Sequence, residues 1–379
     1  MDPLLLIPGP SPVVPRVTGA LARPTVSHAS AELAADLLSA LDNLKKTVFT
    51  AGGEPVLFAG SGTLAMEAAL LNVTGKHDRV LVVSQGYFGD RMARIAEAFG
   101  FACDVLAGPW GSAVRPGELR AALDSRRYEV VAVTHVDTGT GAAAPLREYA
   151  EVLKDRGSIW IVDGVCATGG IEERMDDWGI DVILTAAQKC FGAPPGLAVD
   201  VFSPRAAAKR RSLPSIPAYY TDLLNWRDGM RDPRKYFSTH AVNEIRAFAE
   251  AVRIAVEEGL PERFLRHERT ARAVRAGLAV LGLEVFTERE FLAPTLSVVR
   301  YPDGVDDAAF RAKYLDAGYA VAGGLAETAG RVFRMGHMGN LTRDQALDAI
   351  GTMGEVLKSM GRPVDPAEAV AAAAAAFKE

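Results

Sequence analysis

From about residue 30 to residue 205, short apolar runs alternate with stretches of helical period. The runs at 56–58, 80–83, 102–106, 130–133, 159–162, 182–184 and 197–202 are rich in Val, Ile and Leu. They are too short for helices, and most lack the polar alternation of a half-exposed strand, which is the pattern of strands buried on both faces. Seven such strands separated by helical segments predict an α/β fold, a mostly parallel sheet of seven strands flanked by helices. Residues 213–233 hold prolines and aromatics with little period and predict a loop. A helix is expected over 240–258, and Pro261 is placed to open another. Strands at 283–286, 296–299, 320–322 and 332–335 then predict a second, smaller α/β unit. The alanine-rich tail 363–379 predicts a peripheral helix. The chain thus divides into a large domain, 16–255, and a small C-terminal domain, 256–379, which the N-terminal segment 1–15 joins. No internal repeat is present.

A length of 379 residues suits two domains, and with 49% hydrophobic and 23% charged residues the chain can fill a large core rather than stay disordered. A net charge of −5 without a basic stripe argues against nucleic acid as a partner. No run of about 20 apolar residues predicts a membrane span. The start, Met1-Asp2-Pro3-Leu4, lacks the basic region and long apolar core of a secretory signal, and Phe377-Lys378-Glu379 is not a peroxisomal tripeptide. Cys103, Cys166 and Cys190 are odd in number and have no metal-type spacing. They predict reduced thiols in a cytoplasm and no metal site.

Lys189 carries the most chemical information. An apolar run, 182–184, delivers it to a turn rich in Gly and Pro, where falling solvation lowers an ammonium pKa and frees the amine for Schiff-base chemistry. The alternative is a strand-end lysine that reaches out to water. Asp163 ends the run 158–163, and ligands of open α/β sheets collect at the carboxyl ends of strands. A carboxylate and a lysine in one crevice suit pyridoxal phosphate, whose aldehyde takes the amine and whose ring nitrogen takes the acid. A helix N-cap is the competing role for Asp163. Gly60-Ser61-Gly62-Thr63 lies between a strand and an amphipathic helix. There, backbone amides, the helix dipole and the hydroxyls of Ser61 and Thr63 favour a phosphate, unless Ser61 or Thr63 simply caps the helix. The segment also fits a dinucleotide fingerprint, but the next strand, 79–83, runs into Ser84-Gln85 without the acid that a ribose needs. His28, His135 and His337 read as structural or solvated. Cys190 reads as a small buried filler, and the pairs Glu172-Glu173 and Asp176-Asp177 as exposed charges.

These segments, in this order, resemble the class V aminotransferases of the fold-type-I pyridoxal phosphate enzymes, in the branch of the alanine–glyoxylate, serine–glyoxylate and serine–pyruvate aminotransferases. The similarity covers nearly the whole chain. Ile7-Pro8-Gly9-Pro10-Ser11-Pro12 and Gly60-Ser61-Gly62-Thr63 begin it, followed by Gly86-Tyr87-Phe88-Gly89-Asp90-Arg91 and Val162-Asp163-Gly164-Val165. Ala187-Gln188-Lys189, with Ala193-Pro194-Pro195-Gly196, Ala322-Gly323-Gly324-Leu325 and the stretch 332–339, completes it.

The resemblance implies a fold-type-I transferase whose large domain binds pyridoxal 5'-phosphate. Lys189 would bond the cofactor and Asp163 would pair with its ring nitrogen. Phe88 would stack on the ring, and Ser61, Gly62, Thr63 and Gln188 would meet the phosphate. Tyr236 and Thr239, which on sequence alone are loop and helix-cap residues, would reach the phosphate from the other subunit of a homodimer with a shared site. Arg334 and Gly9 would bind the substrate; a guanidinium matches a carboxylate in a planar, bidentate way. Cys166-Ala167, Ala186 and Gly139 stand where the family often has serines, and Thr138 and Thr140 are the two hydroxyls placed to replace the one missing at Gly139. The expected activity moves an amino group from a small L-amino acid, alanine or serine, to glyoxylate or pyruvate. The alternative is a lyase of the same fold, such as a cysteine desulfurase or a kynureninase-like enzyme. Phe88 in place of a histidine, and a C-terminal half without cysteine, weigh against it.

Overall fold

The computed structural model describes residues 2–378. Seven strands form the central sheet: β1 (Glu54–Gly60), β2 (Arg79–Ser84), β3 (Ala102–Ala107), β4 (Val130–Thr134), β5 (Ile159–Asp163), β6 (Val182–Ala186) and β7 (Gly196–Phe202). Their spatial order is β1-β7-β6-β5-β4-β2-β3. The run from β6 to β3 is parallel, and only β7 is antiparallel to its neighbours β1 and β6. All five residues of β4, β5 and β6 are buried, which is why these segments carry no polar alternation. The edge strand β3 is the exception, with Val105 46% exposed.

The parallel order brings the carboxyl ends of β4, β5 and β6 side by side, with Thr134 opposite Asp163 and Asp163 opposite Leu184. The helix Gly62–Val73, which follows β1, buries nine of its twelve residues. It is a core helix, and it aims its N-terminus at the same end of the sheet. One hydrophobic cluster runs from Val17 to Val252 over this layered unit.

A second cluster joins Leu6 to residues between Val274 and Ala369. Here Leu296–Arg300, Val332–Gly336 and Ala322–Gly323 form a three-stranded antiparallel sheet with Val332–Gly336 in the middle. Leu4–Leu5 pairs in parallel with Tyr319–Ala320, so the N-terminal segment is stitched to this unit.

Three elements depart from the sequence reading. The stretch 213–233 contains a helix, Leu223–Arg231, whose first turn is capped by the Asp222 carboxylate accepting from the Leu224 amide at 3.0 Å. Its Leu223, Trp226 and Met230 are buried at helical spacing, and Trp226 meets Phe58 edge-to-face at 5.8 Å. Residues 283–286 form only a single bridge, Val285 to Val299, instead of a strand. The tail helix, Pro366–Ala376, is not peripheral. Ala369 and Ala373 are buried against the helix Leu260–Val280, where Gly277 admits the approach: a Cβ there would lie 3.3 Å from the Ala369 carbonyl oxygen.

Candidate active site

A cavity of about 190 Å³ opens at the carboxyl ends of β5 and β6. Its walls include Ser61, Gly62, Thr63, Phe88, Asp163, Gln188 and Lys189, together with Arg91, Thr138, Val165 and Cys166. Seven residues given cofactor contacts from the sequence, spread from position 61 to position 189, therefore face one small space.

Asp163 is buried at the tip of β5, and among the described residues its carboxylate accepts one hydrogen bond, from the Val165 amide at 3.0 Å. Burial drives its carboxyl up to about 7, aided by the charges of Asp137 and Glu173, while the Val165 amide and Lys189 pull the other way. A carboxylate so poorly solvated lacks a cationic donor, and a protonated ring nitrogen supplies one. Gln188 Oε1 is buried without a partner among the described residues. The helix Gly62–Val73 begins with Ser61, whose hydroxyl makes no capping bond, so the first amides of the helix and this hydroxyl stay available to an anion. Gly62 also packs closely: a Cβ there would lie 3.0 Å from Val165 Cγ2, and that side chain would have to shift. A carboxyl that can accept from a ring N–H, and free amides and a hydroxyl that can donate to an anion, are what a pyridine ring bearing a phosphate requires.

Lys189 is half-buried, with its Nζ donating to the Pro8 carbonyl. Gly9, at φ +100°, packs against the lysine stem so closely that a Cβ would fall 2.3 Å from Lys189 Cδ. The Ser11 hydroxyl donates to the Lys189 carbonyl at 2.6 Å. The N-terminal segment thus folds over the lysine and fixes its backbone.

Asp137, which the sequence reading passed over, organises the opposite wall. Its buried carboxylate accepts from the amides of Phe88 at 2.7 Å, Gly89 at 3.2 Å and Gly139 at 2.8 Å. It therefore caps the helix Tyr87–Ala98 from outside and sets the Phe88 ring. Gly139 has a local reason: a Cβ there would meet Tyr87 Cβ at 3.0 Å. The Thr140 hydroxyl is committed to the Gln85 carbonyl at 2.8 Å, whereas Thr138 lines the cavity.

Arg334 sits on the middle strand of the small sheet. Its Nε donates to the Gly323 carbonyl at 2.7 Å and its Nη1 to that of Thr138 at 3.3 Å, so the guanidinium lies beside the cavity rather than in its wall. Burial lowers its pKa from the usual value. Tyr236 and Thr239 are not brought to the cavity of their own chain. They lie exposed, their hydroxyls 3.1 Å apart, with the Tyr236 ring 4.9 Å from that of His28.

Glu173 corrects an expectation. It is buried, bound to His135 Nδ1 at 2.6 Å and to the Thr168 hydroxyl at 2.6 Å, while Glu172 is exposed as expected. A buried acid requires such partners, and they lie too far along the chain, or in too irregular a turn, to be foreseen. Among the described residues no helix is long and apolar enough to cross a membrane.

A doubly wound sheet that brings a lysine, an acid and an anion cradle to one cavity fits pyridoxal phosphate. The family model for class V aminotransferases matches residues 15–301, and the chain belongs to this family of pyridoxal-phosphate-dependent aminotransferases. It is 36% identical to an uncharacterised aminotransferase of Methanocaldococcus jannaschii over 94% of this chain and 93% of that one. It is 31% identical to the L-aspartate–glyoxylate aminotransferase of Paracoccus denitrificans over 99% and 96% of the two chains. The crystal structure of the ureidoglycine–glyoxylate aminotransferase of Bacillus subtilis superposes with a TM-score of 0.95 at 28% identity, covering 100% of this chain and 99% of that one.

Proposed function

We propose that this aminotransferase moves the amino group of a small L-amino acid, alanine or serine, to glyoxylate or pyruvate. The carrying observation is the convergence of Lys189, Asp163 and the Ser61–Thr63 cradle on one cavity of about 190 Å³. When bound, the cofactor supplies an aldehyde that takes up amines and a ring that accepts an electron pair. The named relatives from Paracoccus and Bacillus share glyoxylate and differ in donor, which supports glyoxylate as acceptor.

In this reading the amides of Gly62 and Thr63, with Ser61 and Gln188, hold the phosphate, and Phe88 covers the ring face. Asp163 keeps the ring nitrogen protonated. Arg334 grips the donor carboxylate with the N–H groups left over from its bonds to Gly323 and Thr138, and Gly9 leaves the space beside Lys189 open. Lys189 Nζ would move the proton from the donor α-carbon, a general-base role worth about 10²–10⁴-fold. Tyr236 and Thr239 complete the phosphate site of a second copy in a cytoplasmic homodimer; their exposure, with that of Tyr219 and Leu224 nearby, supports that assignment. The two hydrophobic clusters support a cofactor domain of residues 16–255 and a small domain of 256–379 with 1–15.

The visible spectrum tests this reading. The purified protein should carry a visible cofactor band that L-alanine or L-serine bleaches and glyoxylate restores, with L-aspartate as the comparison. A protein that stays colourless after pyridoxal phosphate is added would overturn the assignment of Lys189.

A further inference from the structure

Among the described residues the cavity wall holds two cationic side chains, Lys189 and Arg91. The first is committed to the cofactor aldehyde under the proposed function, on which this inference rests. The second has no assigned part. Arg91 lies in the first turns of the helix Tyr87–Ala98, half-buried, with its guanidinium carbon 4.7 Å from the centroid of the Phe88 ring and 5.3 Å from that of Tyr87. Its Nη1 donates to the Thr63 hydroxyl at 3.2 Å. A hydroxyl that accepts one hydrogen bond still has its own proton to give. Thr63 lies at the N-terminus of the helix Gly62–Val73, so that proton is free for an anion held in the cradle.

The charge balance points the same way. A bound phosphate brings close to two negative charges into a cavity that already contains Asp163, with the Asp137 carboxylate behind the wall. A helix N-terminus offsets only about half a charge. The guanidinium held over Phe88 is the remaining full positive charge. Cation–π contact with the two rings holds it in place without cancelling that charge.

We propose that Arg91 is a phosphate-recognition residue, acting both by its own charge and by orienting the Thr63 hydroxyl, and that it makes the site select a phosphorylated pyridoxal over the free one. The test measures dissociation constants of pyridoxal phosphate and of pyridoxal for the full-length protein by absorbance titration, in the parent, Arg91→Gln and Arg91→Lys. Arg91→Gln should weaken pyridoxal phosphate about 10–100-fold, the range of a charge-assisted hydrogen bond, and leave pyridoxal within about twofold. Arg91→Lys, which keeps the charge and disturbs packing least, should fall between parent and Arg91→Gln, again for the phosphorylated ligand alone, and decides the matter should Arg91→Gln not fold. Equal weakening of both ligands would mean that Arg91 only props Phe88 and would overturn the inference, as would unchanged affinity for both. A parent protein that develops no cofactor band would instead bring down the proposed function, so the two failures are distinct.

Discussion

Asp163 shows what burial does to one carboxyl. Unfolded, it titrates near the ordinary value of about 3.9; folded and without a cationic partner, it is driven up to about 7. The folded chain therefore binds this proton more tightly than the unfolded chain. Its contribution is full below the unfolded pKa, falls as pH rises through the interval, and levels off above the folded one. Three pH units correspond to about 4 kcal/mol, so cofactor-free Asp163→Asn should gain stability over the parent by up to about that amount between pH 4 and pH 8. Thermal melts across that range, parent against variant, check it; a constant difference would refute it. The proposed hold of Arg334 on the donor carboxylate makes the complementary case. Arg334→Lys keeps a charge but loses the planar fork, and the KM for the amino donor should rise about 10–100-fold, with a smaller change in kcat. Lys189 and Asp163 were legible in the sequence because a strand end announces them. Asp137 and Glu173 were not, because their partners Phe88 and His135 lie 49 and 38 positions away.

At the scale of elements, burial on both faces made the central strands legible as uninterrupted apolar runs, and that same burial makes one strand residue costly. Asp200, in the middle of β7, faces Val56 and Leu184 across the sheet, with neither carboxylate oxygen partnered among the described residues. Burial alone raises its pKa well above the usual value. As with Asp163, the folded state prefers the protonated form, so stability is lost as pH climbs above the unfolded pKa. Asp200→Asn is close in shape and cannot ionise. It should match the parent near pH 4 and exceed it by about 1.4 kcal/mol for each unit above that, up to the folded pKa; chemical denaturation at a series of pH values reads this directly. The helix Leu223–Arg231 escaped the sequence reading because prolines before it and Pro233 after it masked a period only two turns long. The alanine tail was misplaced because small residues read as weak hydrophobes, whereas between closely packed helices their size is the useful property.

At the scale of the molecule, the proposed site is split, most of its residues in one cavity and two outside it. Lys189, Asp163 and the Ser61–Thr63 cradle share a cavity, while Tyr236 and Thr239 stand exposed on the surface. In a two-fold dimer each subunit gives what it receives, so the separation can be tested genetically. The proposed sharing puts Lys189 of one subunit and Tyr236 of the other in the same site. Lys189→Ala and a disruptive Tyr236→Ala, Thr239→Ala double variant should each be nearly inactive as homodimers. In a mixed dimer, one site collects every defect and the other collects none. Unfolding and refolding the two proteins together in equal amounts should therefore recover about a quarter of the parent activity, half of the dimers being mixed and half of their sites intact. Activity that stays at the level of the separate variants, in dimers shown to have exchanged, would mean that each chain completes its own site. Tyr236 and Thr239 would then belong to the surface on which they are found.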